Sequence, residues 1–108
     1  KPVLWMVGTD VIESAREEEF NKWYNDVHVP EVLNIPGVIS GSRYRAVKPV
    51  GRQSKYLALY EVEGVDLIPS ITANPSVKRG LDEWRKQWGS AAEVRFGWFY
   101  EPIYHRGK

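Results

Sequence analysis

The sequence predicts an α+β domain in which four antiparallel strands carry two helices on one face, and three observations lead there. Four strand-length apolar runs and two stretches of helical apolar period follow one another as βαββαβ, the ferredoxin-like order. The first and third strand runs are apolar at both alternating positions, so neither face of the middle of the sheet suits water. Aromatic residues make up 13% of the chain and include five Trp, and that much ring surface calls for a large buried area or a ring-lined pocket.

Residues 3–8, VLWMVG, read as the first strand, stopped by Gly8-Thr9-Asp10. Residues 14–28 read as an amphipathic helix: Phe20, Trp23, Tyr24 and Val27 fall at i, i+3, i+4 and i+7 behind Ser14 and a Glu-rich first turn. Pro30 disturbs that helix, Glu31 to Asn34 are available for one further turn, and Ile35-Pro36-Gly37 is a sharp exit. Residues 38–47 form the second strand, with Gly41 allowing a bend or bulge, and the loop KPVGRQS turns the chain into the third strand at 55–62. A short helical piece over 66–73 is cut by the Asn74-Pro75 turn. A second helix then places Val77, Leu81, Trp84 and Trp88 on one stripe and stops at Gly89. Residues 93–104 form a long last strand in which Pro102 implies an edge or the end of regular pairing.

The 108 residues, 1–108, make a single domain with one core, large enough to bury roughly two thirds of its unfolded surface and so to be stable without staples. The chain has no cysteine, which removes disulfides, thiolate metal sites and cysteine nucleophiles together and fits a cytoplasmic protein. Fifteen basic and 14 acidic residues leave a net charge of +1, too little to draw the protein to nucleic acid or an anionic membrane. No apolar run is long enough to span a bilayer or to resemble a signal peptide. RNA-binding modules share the βαββαβ order, but their third strand needs a basic-Gly-aromatic run, and KYLALYEV has no glycine. No phosphate loop, nucleophile elbow or GxGxxG occurs, so ATP, NAD and serine-hydrolase chemistry find no support. A metal site is equally unsupported: His28 and Glu31 are three apart with Pro30 between them and no third ligand beside them, and His105 lies near the terminus.

Two helices cover only one face of such a sheet. The economical cover for the other is a second copy, giving a homodimer with sheets face to face and a small-molecule cavity between each sheet and its own helices or loops. His28, at the C-terminal end of the aromatic helix, is either a proton shuttle near neutral pH or a side chain that caps the helix dipole. Tyr44 offers a phenol for a carbonyl or enolate oxygen and Arg43 a cation for developing negative charge. Neighbours on a strand alternate faces, so only one of the two enters a given pocket unless the strand twists near Gly41. Trp5, Tyr60 and Trp98, on three strands, and Trp23 and Tyr24 of the helix are candidates for binding a flat substrate, with plain core packing as the alternative.

The run EFNKWYNDVHVPEVLNIPGVISGSRYR, residues 19–45, resembles the helix-to-strand signature of EthD-like proteins: an aromatic helix, a Trp-Tyr…His-x-Pro segment, a Pro-Gly turn and a strand ending in Arg-Tyr. KYLALYEVEG, residues 55–64, is similar to the third strand of the same group. Together they cover about a third of the chain. The resemblance implies a dimeric α+β barrel, from a superfamily whose enzymes mostly work without metal or organic cofactor on hydrophobic ring-shaped molecules. Among them are muconolactone isomerases, polyketide cyclases and cofactor-free quinone-forming monooxygenases. It carries over His28 alone, at the His-x-Pro position; the second histidine of several cyclases and isomerases has no counterpart. The expectation is a cofactor-independent isomerase, cyclase or dehydratase that moves a proton on a small hydrophobic cyclic or aromatic carbonyl compound. A non-catalytic binding or accessory protein with the same pocket is the alternative.

Overall fold

A computed structural model describes residues 2–48, 51 and 54–108. Its four strands are β1 (Val3–Val11), β2 (Val38–Arg45), β3 (Tyr56–Val62) and β4 (Ala92–Tyr100), all paired antiparallel in the spatial order β2-β3-β1-β4. The helices are α1 (Glu17–Trp23), α2 (Val29–Leu33), α3 (Ile68–Thr72) and α4 (Pro75–Gln87). This is the four-stranded antiparallel ferredoxin-like fold that the order of elements implies.

Strand register sorts the side chains between two faces. Val3, Trp5 and Val7 of β1 stand beside Tyr60 and Ala58 of β3 and Phe99 of β4, facing the helices. The core lies there: Phe20, Tyr24, Ile71, Trp84 and Trp88 of the helical layer pack on Val3, Ala58, Tyr60 and Val62. The other face presents Leu4, Met6, Leu57 and Leu59 with Tyr44, Trp98 and Tyr100, and no helix among the described residues covers it. Trp98 is 61% exposed and Tyr44 54%, an aromatic surface that is costly to leave wet.

Several boundaries differ from the sequence expectation. Gly8-Thr9-Asp10 does not stop β1. The strand shifts register on β4 between Gly8 and Thr9 and pairs on to Val11, with Asp10 accepting from the Lys55 backbone N–H and from Arg95. The register shift of β2 falls between Val38 and Ser40, not at Gly41. Gly41 is instead a point of close approach, where a Cβ would lie 3.0 Å from the Tyr60 ring and 3.1 Å from Val29 Cγ1. β4 ends at Tyr100, opposite Leu4 at the start of β1, and residues 101–108 have no regular structure. Four residues of the KPVGRQS turn, at 49, 50, 52 and 53, lie outside the described residues; the hairpin beside them is closed by Ala46 N–H donating to Lys55 O.

The first helix does not break at Pro30. It runs from a 3₁₀ turn at Ser14–Arg16 through α1, widens into a π-type turn over Tyr24–His28 just before Pro30, and continues as α2. The widened turn is closed by Val29 N–H donating to Tyr24 O, five residues back. It also shifts the inward stripe by one residue, leaving Val27 40% exposed while His28 turns inward beside Tyr24. Leu81, expected on the buried stripe of the second helix, is 47% exposed, whereas Trp84 and Trp88 of that stripe are buried.

Candidate functional site

A cavity of about 350 Å³ lies between the sheet and the helices, within the usual range of roughly 300–1,000 Å³ for small-molecule sites. Its sheet wall is aromatic. Trp5 stacks on Phe99 at 5.0 Å between ring centroids and leans on Tyr60 at 5.6 Å. Its helical wall brings in Tyr24 and His28 from the π-type turn, Glu31 and Val32 from α2, and Val77, Gly80 and Leu81 from α4.

Three polar atoms of this lining, Tyr24 Oη, Tyr60 Oη and His28 Nδ1, are buried without a hydrogen-bond partner among the described residues. Each such atom costs about 1–3 kcal/mol if left unpaired. Their protonation states are set by surroundings. Burial pushes the Tyr24 phenol up to about 12, against smaller opposing effects of Tyr60 and the Arg43 cation. Burial, then the neighbouring Tyr24, raises Tyr60 as well. The two phenols are close enough to influence each other, yet neither oxygen finds hydrogen-bond geometry with the other. Both stay O–H donors at neutral pH. Burial, reinforced by Arg43, lowers His28 to about 4, so its imidazole is neutral and can accept a proton. Glu31 is raised by partial burial and by Glu83, with Arg79 opposing.

The imidazole is held by rings. Trp23 stacks on it at 5.1 Å and 20°, and Tyr24 meets it edge-on at 4.8 Å and 76°. Arg43 stands on the helix-facing side of β2, with its guanidinium 4.3 Å above the Tyr24 ring. It donates to Asn21 Oδ1 and to Asn25 Oδ1, each at 2.9 Å. Asn21 in turn donates to Tyr56 Oη at 3.0 Å, and Tyr56 donates to Glu17, which Lys55 also engages. This chain ties α1 to β2 and β3 and fixes a positive charge just behind Tyr24.

Of the residues singled out from sequence, His28, Tyr24, Tyr60 and Trp5 therefore line one cavity, Arg43 supports it, and Trp23 braces the imidazole without lining the space. Tyr44 and Trp98 stand on the opposite sheet face, because Tyr44 pairs with Leu57 and Trp98 with Met6, both outward positions. Strand alternation thus separates Tyr44 from His28 within one chain and leaves Arg43 as the member of the pair on the cavity side. Sequence reasoning did not single out Phe99 as lining, and weighed Glu31 only as a metal ligand. Phe99 lies at an alternating position of β4, and Glu31 lies one turn beyond His28, which are the signals that could have found them.

The fold and cavity together define a ferredoxin-like α+β domain with a helix-side cavity. The same fold is seen in HapK from Hahella chejuensis, at TM-score 0.70 and 14% identity over 97% of this chain and 99% of that one. An ethyl tert-butyl ether D (EthD) family protein from Bacillus halodurans matches at TM-score 0.65 and 15% identity, over 94% and 98% of the two chains. SnoaB, a cofactor-independent oxygenase from Streptomyces nogalater, matches at TM-score 0.65 and 10% identity over 99% and 98%. At such identities the likeness is one of fold. No family model and no curated protein matches the sequence.

Proposed function

We propose that the protein is a cofactor-independent enzyme that binds a small, flat, hydrophobic carbonyl compound in the helix-side cavity and moves a proton on it, with His28 as the acid/base. The observation that carries this reading is the set of three buried unpaired polar atoms, two phenols and one imidazole nitrogen, in an otherwise ring-lined cavity. Neutral His28 takes a proton from a carbon next to the carbonyl, and the C–H electron pair passes into the carbonyl to form an enolate. The Tyr24 and Tyr60 hydroxyls donate to the enolate oxygen, and Arg43 behind Tyr24 favours the negative charge. An imidazole held near 4 is a reluctant base by itself, but the enolate formed beside it makes an ion pair that supports the imidazolium. The same imidazolium is a strong acid, suited to returning the proton at another atom, which gives isomerisation, cyclisation or, with loss of water, dehydration.

An oxygenase shares the deprotonation step, and the fold likeness to SnoaB supports keeping dioxygen among the co-reactants to be tested. The uncovered sheet face, with Trp98, Tyr44 and Leu59, supports a homodimer packed sheet to sheet.

The test uses 2-tetralone, a bicyclic ketone, in heavy water. The wild-type protein is expected to accelerate exchange of its α-protons, followed by NMR, and His28→Gln to lower that rate by about two to four orders of magnitude while remaining folded. Binding of the ketone without any acceleration would favour a carrier over an enzyme. Oxygen uptake dependent on His28 would assign the oxygenase fate.

A further inference from the structure

Four glycines lie inside regular elements: Gly8, Gly41, Gly80 and Gly97. Glycine weakens a helix or strand interior, so each needs a reason. Two have one. A Cβ on Gly8 would fall 2.2 Å from the Phe96 ring, and one on Gly41 would fall 3.0 Å from Tyr60. Gly80 and Gly97 have neither that reason nor the left-handed backbone found at Gly37 and Gly89. Among the described residues, the atom that a Cβ at Gly80 would meet within 4 Å is His28 Cε1, at 3.9 Å, and at Gly97 it is Val7 Cγ2, also at 3.9 Å. Both are ordinary contact distances, so the surrounding fold would accept a methyl group at either position.

What the two share is the cavity: Gly80 lines its helical wall on α4 and Gly97 its sheet wall on β4. The atom nearest a Gly80 side chain is the imidazole carbon between the two ring nitrogens, so even a methyl group there would stand over the edge of His28. A side chain at Gly97 would project beside Val7 and Phe99, where the flat aromatic wall lies. We propose that Gly80 and Gly97 are specificity-determining positions, kept free of side chains so that the cavity admits a fused-ring compound against Trp5 and Phe99 with its reacting edge at His28. This rests on the reading of the cavity as a ligand site and adds the size class of the ligand.

The experiment compares Gly80→Ala and Gly97→Val with wild type by calorimetric titration of 2-naphthol, which has two fused rings, and phenol, which has one. Gly80→Ala replaces glycine by the best helix former, so it is the variant least able to fail by misfolding, and its Tm is expected to hold or rise. Both variants are expected to bind 2-naphthol at least about tenfold more weakly, as overfilling a cavity does, while phenol changes by less than about threefold. Equal weakening for both probes, or no change for either in a folded variant, overturns the assignment of these glycines. A wild-type protein that binds neither probe overturns the ligand-site reading itself, and this inference with it.

Discussion

Between about pH 8 and pH 5 acidification should destabilise this protein chiefly through one residue, and the size of the effect follows from where His28 sits. In the unfolded chain its imidazole titrates near 6.5, and in the folded protein burial and Arg43 hold it to about 4. Between these values the unfolded chain binds a proton that the folded one does not. Stability therefore rises with pH through this window, is complete above it, and has lost the whole contribution below about 4. The full separation corresponds to about 3 kcal/mol, of which about 2 kcal/mol is lost between about pH 8 and pH 5. Glu17, whose carboxyl Lys55 and Tyr56 hold low, and Glu31, whose carboxyl burial raises, act with opposite signs. Urea unfolding followed by Trp fluorescence at the two pH values, at one fixed protein concentration, measures the loss. The control is His28→Gln, which keeps a polar group of similar size but cannot gain the proton. Its stability should change less with pH than the wild type by about 2 kcal/mol. An identical pH dependence in the two proteins would refute the buried, neutral imidazole.

Three other outcomes are expected. Arg43→Met removes three hydrogen bonds from a charged donor, two at 2.9 Å to the Asn21 and Asn25 side-chain carbonyls and one at 3.5 Å to the Asn21 backbone carbonyl, so urea unfolding should show a loss of about 2 kcal/mol. The same change should move the His28 titration upward by NMR, since the Arg43 charge helps to depress it. Gly41→Ala forces a methyl group to within 3.0–3.1 Å of the Tyr60 ring and Val29, and should cost about 1–3 kcal/mol and lower Tm. Trp98→Asp puts a charge on the open sheet face, 61% exposed in the single chain. If that face is the dimer interface, sedimentation should show a folded monomer with near-native circular dichroism, whereas an unchanged assembly would move the interface elsewhere.

The sequence by itself determined the order of elements, the antiparallel ferredoxin-like sheet and the aromatic core, because apolar period and turn residues act locally. The pattern at Phe20 and Tyr24 needs no distant contact to be read, nor do the exit at Pro36-Gly37 and the stop at Gly89. It also singled out His28, as a histidine at the end of the aromatic helix and at the His-x-Pro position of the resemblance, but not the ring packing that holds it. Tertiary structure decided which face each strand residue occupies, and with it the separation of Arg43 from Tyr44 and of Trp5 from Trp98. Period-2 alternation says that neighbours diverge but not which of them meets the helices; only pairing with β3 and β1 settles that. The π-type turn is the sharper case. A repeat of 3.6 residues sends Val27 inward, but the turn before Pro30 takes five residues to close, and the extra residue delivers His28 to the cavity instead. The pKa of His28 likewise belongs to the tertiary structure, because burial among Trp23, Tyr24 and Trp84 sets it, and these rings come from two helices far apart in the chain.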